Sequence, residues 1–215
     1  MNRREELEQN LRSVQQRITR PDVTLIVVTK TYPVSDVQIL KDLGVENFGE
    51  NRSEEGSEKS AIVPAQWHYQ GEIQSRKLRD ISQWADVIHS LDELSHAKKL
   101  SNVLTEDIDV FLQLSLDGDP ERGGVSRENL SKLAQEISEC GNINILGLMC
   151  VLPLGRDPRE GFREVAEIHQ NFQREFPGAR KLSAGMSGDF EIAIDCGATH
   201  IRVGSQILGP RSAHR

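Results

Sequence analysis

The stretch Thr24-Leu-Ile-Val-Val-Thr29, followed at once by Lys30-Thr-Tyr-Pro33, decides the fold. Its residues are all apolar or β-branched, with no polar gaps. A surface helix would show gaps near a 3.6-residue period, and a strand with one wet face would alternate. An unbroken short run instead fits a strand covered on both faces, the habit of parallel sheets flanked by helices. Pro33 ends the run. Val34, Val37, Leu40 and Leu43 then set a helical stripe that Gly44 closes. Strand, turn and helix make one βα unit.

The same rhythm extends in both directions. Upstream, Leu7, Leu11, Val14 and Ile18 put an apolar stripe on a leading helix. Downstream, short strands are expected at Asn47–Gly49, Trp67–Gln70, Val87–His89, Asp109–Leu114, Ile145–Leu148, Lys181–Ser183 and His200–Val203. Helices fall between them: a polar one after Gly49, one over Ser75–Gln83, and one capped by Asp92 and carrying Leu94, Ala97 and Leu100. Leu130, Leu133, Ala134 and Ile137 mark the next. Asp157-Pro158 starts another, which bears Phe162, Val165, Ala166 and His169, and the last spans Asp189–Cys196. About eight such units in 215 residues is the count of a single (β/α)₈ barrel of the TIM type with an extra N-terminal helix. The alternative, a doubly wound open sheet, would favour a GxGxxG turn after its first strand. Lys30-Thr-Tyr-Pro33 stands there instead.

Length and composition agree with one domain over residues 1–215, with no linker or low-complexity tract. The net charge of −7 argues against a nucleic-acid scaffold. No apolar run approaches the ~18 residues of a membrane span, and the charged N-terminus has no apolar core of a signal peptide. Cys140, Cys150 and Cys196 are odd in number and share no CxxC spacing. They read as small buried residues of a cytoplasmic protein, not as a disulfide framework or zinc site.

Active residues of a barrel lie at the C-terminal ends of its strands. Those ends here hold Lys30, Asn51, His68, His89, Met149, Ser187, Arg202, Gly204 and Ser205. A lysine ending an apolar strand is expected to put its amine in the barrel mouth. Desolvation there disfavours the ammonium and suits a Schiff-base nucleophile; a lysine snorkelling to solvent is the plain alternative. Ser183-Ala-Gly-Met-Ser-Gly-Asp189 follows the seventh strand and Gly204-Ser205 the eighth, where this fold habitually binds phosphate. An amine opposite a phosphate cradle suggests a phosphorylated carbonyl ligand. His68 and His89 have no metal-like partners in sequence and read as core or rim histidines. Trp67 and Trp84 read as packing, and the basic cluster Ser75-Arg-Lys-Leu-Arg79 as a solvated face that could help capture an anion.

Six blocks carry a resemblance: VVTKTYP (27–33), NFGEN (47–51), WHYQGEIQSRK (67–77), GLMCVLP (147–153), LSAGMSGDFEIAI (182–194) and ATHIRVGSQILG (198–209). In this order they resemble the YggS/PROSC family of pyridoxal 5′-phosphate (PLP)-binding homeostasis proteins, over about residues 20 to 211. The resemblance implies a fold-type III PLP barrel similar to the N-terminal domain of alanine racemase. It implies that Lys30 forms the internal aldimine, that Ser187 and Gly204-Ser205 hold the phosphate, that Arg202 faces the pyridine nitrogen, and that Asn51 and Met149 line the ring. It further implies a carrier or regulator of PLP, with apo PLP-dependent enzymes as candidate recipients. No stretch of the sequence reads as a dedicated interface, so monomer is the default expectation. Family members commonly have Met at Ala184 and Phe at Leu208, so bulk near the phosphate loop is expected to be lower here.

Two competing activities share the fold. A racemase resembling alanine racemase would need a second, β-rich domain to supply a tyrosine acid. Only Ser205 to Arg215 follow the eighth strand, and Tyr32 and Tyr69 are the only tyrosines. A Schiff-base aldolase would need an acid/base beside the lysine, and no Glu or Asp is expected at a neighbouring strand end. An arginine facing the pyridine nitrogen keeps it unprotonated and discourages carbanion chemistry.

Overall fold

The structure, a computed structural model, describes residues 2–119 and 122–210. Asn2 starts helix α1 (Arg3–Gln16) with a reciprocal cap: its side chain accepts from the Glu5 N–H at 3.0 Å, and Glu5 accepts from the Asn2 N–H at 2.9 Å. Leu7, Leu11 and Val14 are the buried stripe; Ile18 lies beyond the helix and packs half-buried on the core.

Eight parallel strands follow in chain order. They are β1 (Thr24–Val28), β2 (Asn47–Glu50), β3 (Gln66–Tyr69), β4 (Val87–Leu91), β5 (Ile108–Leu114), β6 (Ile143–Cys150), β7 (Lys181–Met186) and β8 (His200–Val203). Each pairs with the next, and β8 closes on β1 with Leu25 opposite Ile201 and Ile26 opposite Arg202. The ring is a closed (β/α)₈ barrel, as the unbroken apolar run of β1 leads one to expect. Closure leaves no sheet edge exposed.

The connecting helices are α2 (Val34–Asp42), α3 (Ser53–Ile62), α4 (Leu78–Ile81), α5 (Leu94–Val103), α6 (Arg127–Ser138), α7 (Pro158–Glu175) and α8 (Phe190–Asp195), with a last turn α9 (Ser205–Leu208). The large core fills the space between barrel and helices and takes the outward residues of the strands, such as Val27, Phe48, Ile88, Leu112 and Ile201. A small separate cluster, Val87, Phe111 and Met149 with Leu146, is built from alternate strand residues facing the barrel interior.

Several expected elements are corrected. Ser75–Gln83 is a 3₁₀ turn over Ser75–Lys77 followed by the single helical turn of α4. Asp92 is not the cap of α5; Glu93 is, and Asp92 instead accepts from the Gly124 N–H at 2.8 Å, tying down the loop after β5. Strand β6 runs from Ile143 to Cys150, beyond its apolar signal at both ends, because it pairs along its whole length with β5, from Ile143 opposite Ile108 to Cys150 opposite Leu114; a Cβ at Gly147 would overlap the Lys181 carbonyl. Of the cysteines only Cys150 is buried, while Cys140 and Cys196 are half-buried. Asp157 does cap α7, accepting from the Glu160 N–H at 2.9 Å. Glu50 ends β2 fully buried, where no strand-end carboxylate was expected. No helix among the described residues is long and apolar enough to cross a membrane.

Candidate functional site

A cavity of about 370 Å³ opens at the C-terminal end of the barrel. Its walls include Lys30 after β1, Asn51 after β2, Met149 of β6, Ser187 after β7, Arg202 of β8, and Gly204 and Ser205 after β8. These are the seven residues expected from sequence to form a site, drawn together from a stretch of chain that runs from Lys30 to Ser205. Val28, Gln70, Val151, Met186 and Gly188 complete the wall. A larger groove of about 520 Å³ lies at the opposite end of the barrel, around the starts of β4 and β5. It holds no lysine, and the fold's chemistry belongs at the other face.

The turns after β7 and β8 are built on one another. Gly185 lies in the left-handed region at φ +92°, and a Cβ there would come within 2.7 Å of Ala193 and 2.8 Å of Phe190. Glycine therefore lets β7 run close under α8. The Met186 N–H donates to Asp189 at 2.6 Å, closing the Ser187-Gly188 turn. The Gly204 N–H donates to the Ser187 hydroxyl at 3.3 Å, which joins the two turns. A Cβ at Gly204 would meet the Val28 carbonyl at 3.0 Å, so this strand end is pressed against β1. Helix α1 braces the pair from behind: Arg17 donates to Gln206 at 2.7 Å and to Glu191, and stacks over Phe190. Ala184 and Leu208 are buried in the core behind these turns and do not line the cavity.

Arg202 is 5% exposed, and no carboxylate of the described residues lies within ion-pair distance of it. Its guanidinium donates to the Ser183 hydroxyl at 2.7 Å and to the Cys150 carbonyl at 2.9 Å. Burial lowers its pKa to about 10, which still leaves it cationic at neutral pH. Burial also pushes the neighbouring Cys150 thiol up to about 12, so that sulfur is inert.

Behind Arg202, a chain of hydrogen bonds crosses the barrel that no sequence spacing could reveal. Ser183 Oγ lies 2.9 Å from His89 Nδ1, His89 Nε2 is 2.9 Å from His68 Nδ1, and His68 Nε2 is 3.0 Å from Asn47 Oδ1. One proton pattern satisfies it. The guanidinium can only donate and the Asn47 oxygen can only accept. His68 therefore carries its proton on Nε2 and accepts on Nδ1 from His89. His89 in turn accepts on Nδ1 from the Ser183 hydroxyl. Both rings are neutral: burial drives His68 down to about 3 and His89 well below its ordinary value, with the nearby histidines and Arg202 adding to it. His68 and His89 are core residues, and among the described residues no three His, Cys, Asp or Glu side chains gather as a metal site.

This neutrality has a stability consequence. An unfolded histidine takes a proton near pH 6.5, whereas the folded His68 resists one until about pH 3. Below about pH 6.5 the unfolded state then binds more protons, and stability falls as pH falls. The contribution is complete above that pH and is lost progressively toward pH 3. At about pH 4.5 the loss from His68 alone is roughly 2–3 kcal/mol. The melting temperature is expected to drop steeply between pH 6.5 and 4.5, and His68→Phe should flatten that slope. A melting temperature independent of pH over this range would contradict the neutral pair.

The basic cluster of the β3–α4 connection is not part of the cavity. Lys77 pairs with Glu54, and Arg76 donates to Gln74. Trp67 and Trp84 pack edge to face in the core.

Comparison with known proteins follows the same lines. The family described as alanine racemase, N-terminal domain, matches residues 3–212. The pyridoxal phosphate homeostasis protein of Corynebacterium glutamicum is 39% identical over 205 residues, covering 89% of this chain and 93% of that one. Its counterpart in Mycobacterium leprae is 35% identical, covering 88% and 83%. The structure of PipY from Synechococcus elongatus PCC7942 with PLP bound superposes with a TM-score of 0.87 at 31% identity, over 94% of this chain and all of that one. Alanine racemase from Corynebacterium glutamicum shares the fold, with a TM-score of 0.77 at 14% identity, over 99% of this chain and 64% of that one. The chain belongs to the alanine racemase N-terminal domain family and, within it, to the pyridoxal phosphate homeostasis proteins.

Proposed function

We propose that this protein binds PLP through Lys30 and serves PLP homeostasis, holding the cofactor without efficient turnover of amino acids. One observation carries the second half. Of the described residues lining the cavity, only Lys30 and Arg202 bear a titratable group; the acids and histidine of the barrel mouth, Glu72, Asp92, Glu93 and His96, line an adjoining hollow that shares Gln70, Met149 and Val151 with it.

The cavity fits the cofactor's parts. PLP supplies an aldehyde that condenses reversibly with a primary amine, releasing water, and a pyridine ring that can withdraw electrons from the attached amine. Among the described residues Lys30 is the one primary amine in the wall. Ser187, Gly204 and Ser205 present hydroxyl and backbone donors suited to the phosphate, at turns where glycine admits close approach. Arg202, cationic and held by Ser183 and the Cys150 carbonyl, is a fixed donor for the ring nitrogen and keeps a proton off it. Asn51 and Met149 line the ring. The relatives named as homeostasis proteins support this reading, as does the PLP-bound PipY structure.

The second reading is an amino-acid racemase. That reaction needs proton donors on both faces of the α-carbon. Lys30 can serve one face. Neither tyrosine lines the cavity: Tyr32 donates to the Gly209 carbonyl at 2.6 Å, and Tyr69 donates to the Glu72 carbonyl at 2.8 Å with its pKa raised to about 12 by burial. The wider reading has residues 1–215 as one PLP-binding domain, monomeric and cytoplasmic, with apo PLP-dependent enzymes as recipients.

The test is incubation of the PLP-loaded protein with L-alanine and other amino acids in D₂O. We expect α-deuteration and D-isomer formation near the rate of free PLP. Turnover in the enzymatic range of about 1–10³ per second would establish the racemase instead.

A further inference from the structure

Thr31, the residue after Lys30, is the only non-glycine with positive φ among the described residues, at +71°. For a β-branched residue that conformation is a genuine outlier, and it persists only where the surroundings impose it. Thr29 to Tyr32 form a four-residue turn, with the Tyr32 N–H donating to the Thr29 carbonyl at 3.0 Å. Glycine or asparagine normally takes the third place of such a turn when φ is positive. Lys30 is its second residue.

A buried ionic network grips this turn on both sides of Lys30. Lys59 Nζ of α3 donates to the Thr29 carbonyl at 2.8 Å, to Glu50 Oε1 at 2.6 Å and to Glu55 Oε2 at 3.3 Å. The Thr29 hydroxyl donates to the same Glu50 oxygen at 2.6 Å. On the other side, Glu55 Oε2 accepts from the Thr31 N–H at 2.7 Å. Lys59 and Glu50 are 4% and 0% exposed. A buried ion pair is a poor device for stability alone, because desolvation offsets most of its attraction. Its remaining use is geometric. None of the three side chains lines the cavity, yet together they hold the backbone before and after Lys30.

We propose that Lys59, Glu50 and Glu55 are positioning residues that fix the left-handed turn at Thr31 and thereby aim the Lys30 amine into the cavity. The inference rests on the reading of Lys30 as the PLP-binding amine. Glu55 is the point to break, since Glu55→Ala leaves Lys59 paired with Glu50 and the fold intact. Two ligands separate aim from cradle: PLP, and pyridoxine 5′-phosphate, which has an alcohol where PLP has the aldehyde. Covalent attachment is read by borohydride trapping at timed intervals, and the cradle by the affinity for pyridoxine 5′-phosphate.

Glu55→Ala is expected to slow attachment about tenfold or more while leaving pyridoxine 5′-phosphate affinity unchanged. Glu55→Gln, whose amide oxygen can still accept from Thr31, should stay near the wild-type rate. Adding Thr31→Gly to Glu55→Ala should recover most of the loss, because glycine adopts the turn without help. A wild-type rate in Glu55→Ala overturns the proposal. So does a loss that Thr31→Gly leaves in place, or one that pyridoxine 5′-phosphate affinity follows in step. If the wild-type protein takes up pyridoxine 5′-phosphate and PLP not at all, the reading of the cavity has failed, and the positioning role falls with it.

Discussion

Replacing Lys30 by methionine is expected to abolish covalent capture of PLP and leave only reversible binding. Methionine keeps the length and packing of the side chain and removes its amine. Among the described residues no other primary amine lines the cavity to replace it, and Lys59, the lysine of the neighbouring network, is buried with three acceptors already on its ammonium. Borohydride treatment of the variant with PLP should therefore fix no pyridoxyl group at the barrel mouth. The absorbance should remain that of the free aldehyde. Lys30→Arg should behave alike, because a guanidinium supplies charge but no usable nucleophile. Retention of stoichiometric attachment in either variant would show that another lysine does the chemistry.

The phosphate is expected to be the main handle on the ligand. Charge-assisted hydrogen bonds contribute about 1.5–3 kcal/mol each, and two of them already make a difference of about a hundredfold or more. Pyridoxal, which lacks the phosphate, should bind at least that much more weakly than PLP. Ser187→Ala should weaken PLP by roughly tenfold. That hydroxyl also accepts from the Gly204 N–H, so its removal loosens the tie between the two turns as well. Competition of pyridoxal against PLP by equilibrium dialysis measures the ratio. Equal affinities would remove the Ser/Gly turns from the binding site.

Much of this site is legible in the sequence because its residues lie next to strong local signals. Thr24–Thr29 announces a covered strand, and whatever follows it stands at the barrel mouth; hence Lys30. The Ser187 and Gly204-Ser205 turns are visible because glycine and serine interrupt apolar periods at the ends of β7 and β8. The cross-barrel chain from Asn47 to Arg202 is not legible. It joins residues from five strands whose meeting depends on barrel closure, and each is locally an ordinary polar residue in a strand. The Lys59 network is hidden for another reason. Helix α3 is polar along most of its length, so a buried lysine there looks like one more solvated charge, and only the close approach of α3 to the turn after β1 reveals it. The Asp92 cap failed because a short carboxylate one residue early found a better donor in Gly124, from a loop 32 residues away. The region Ser75–Gln83 has too few turns for periodicity to separate a 3₁₀ start from a helix.

Everything proposed for the barrel mouth depends on Lys30 being the amine that holds PLP. The most direct test is to load the wild-type protein with PLP, reduce with borohydride, digest, and locate the pyridoxyl mass by peptide mapping. One pyridoxyl group per chain is expected, on the peptide that carries Lys30. A label found mainly on another lysine, or spread over exposed lysines with none on Lys30, would contradict it.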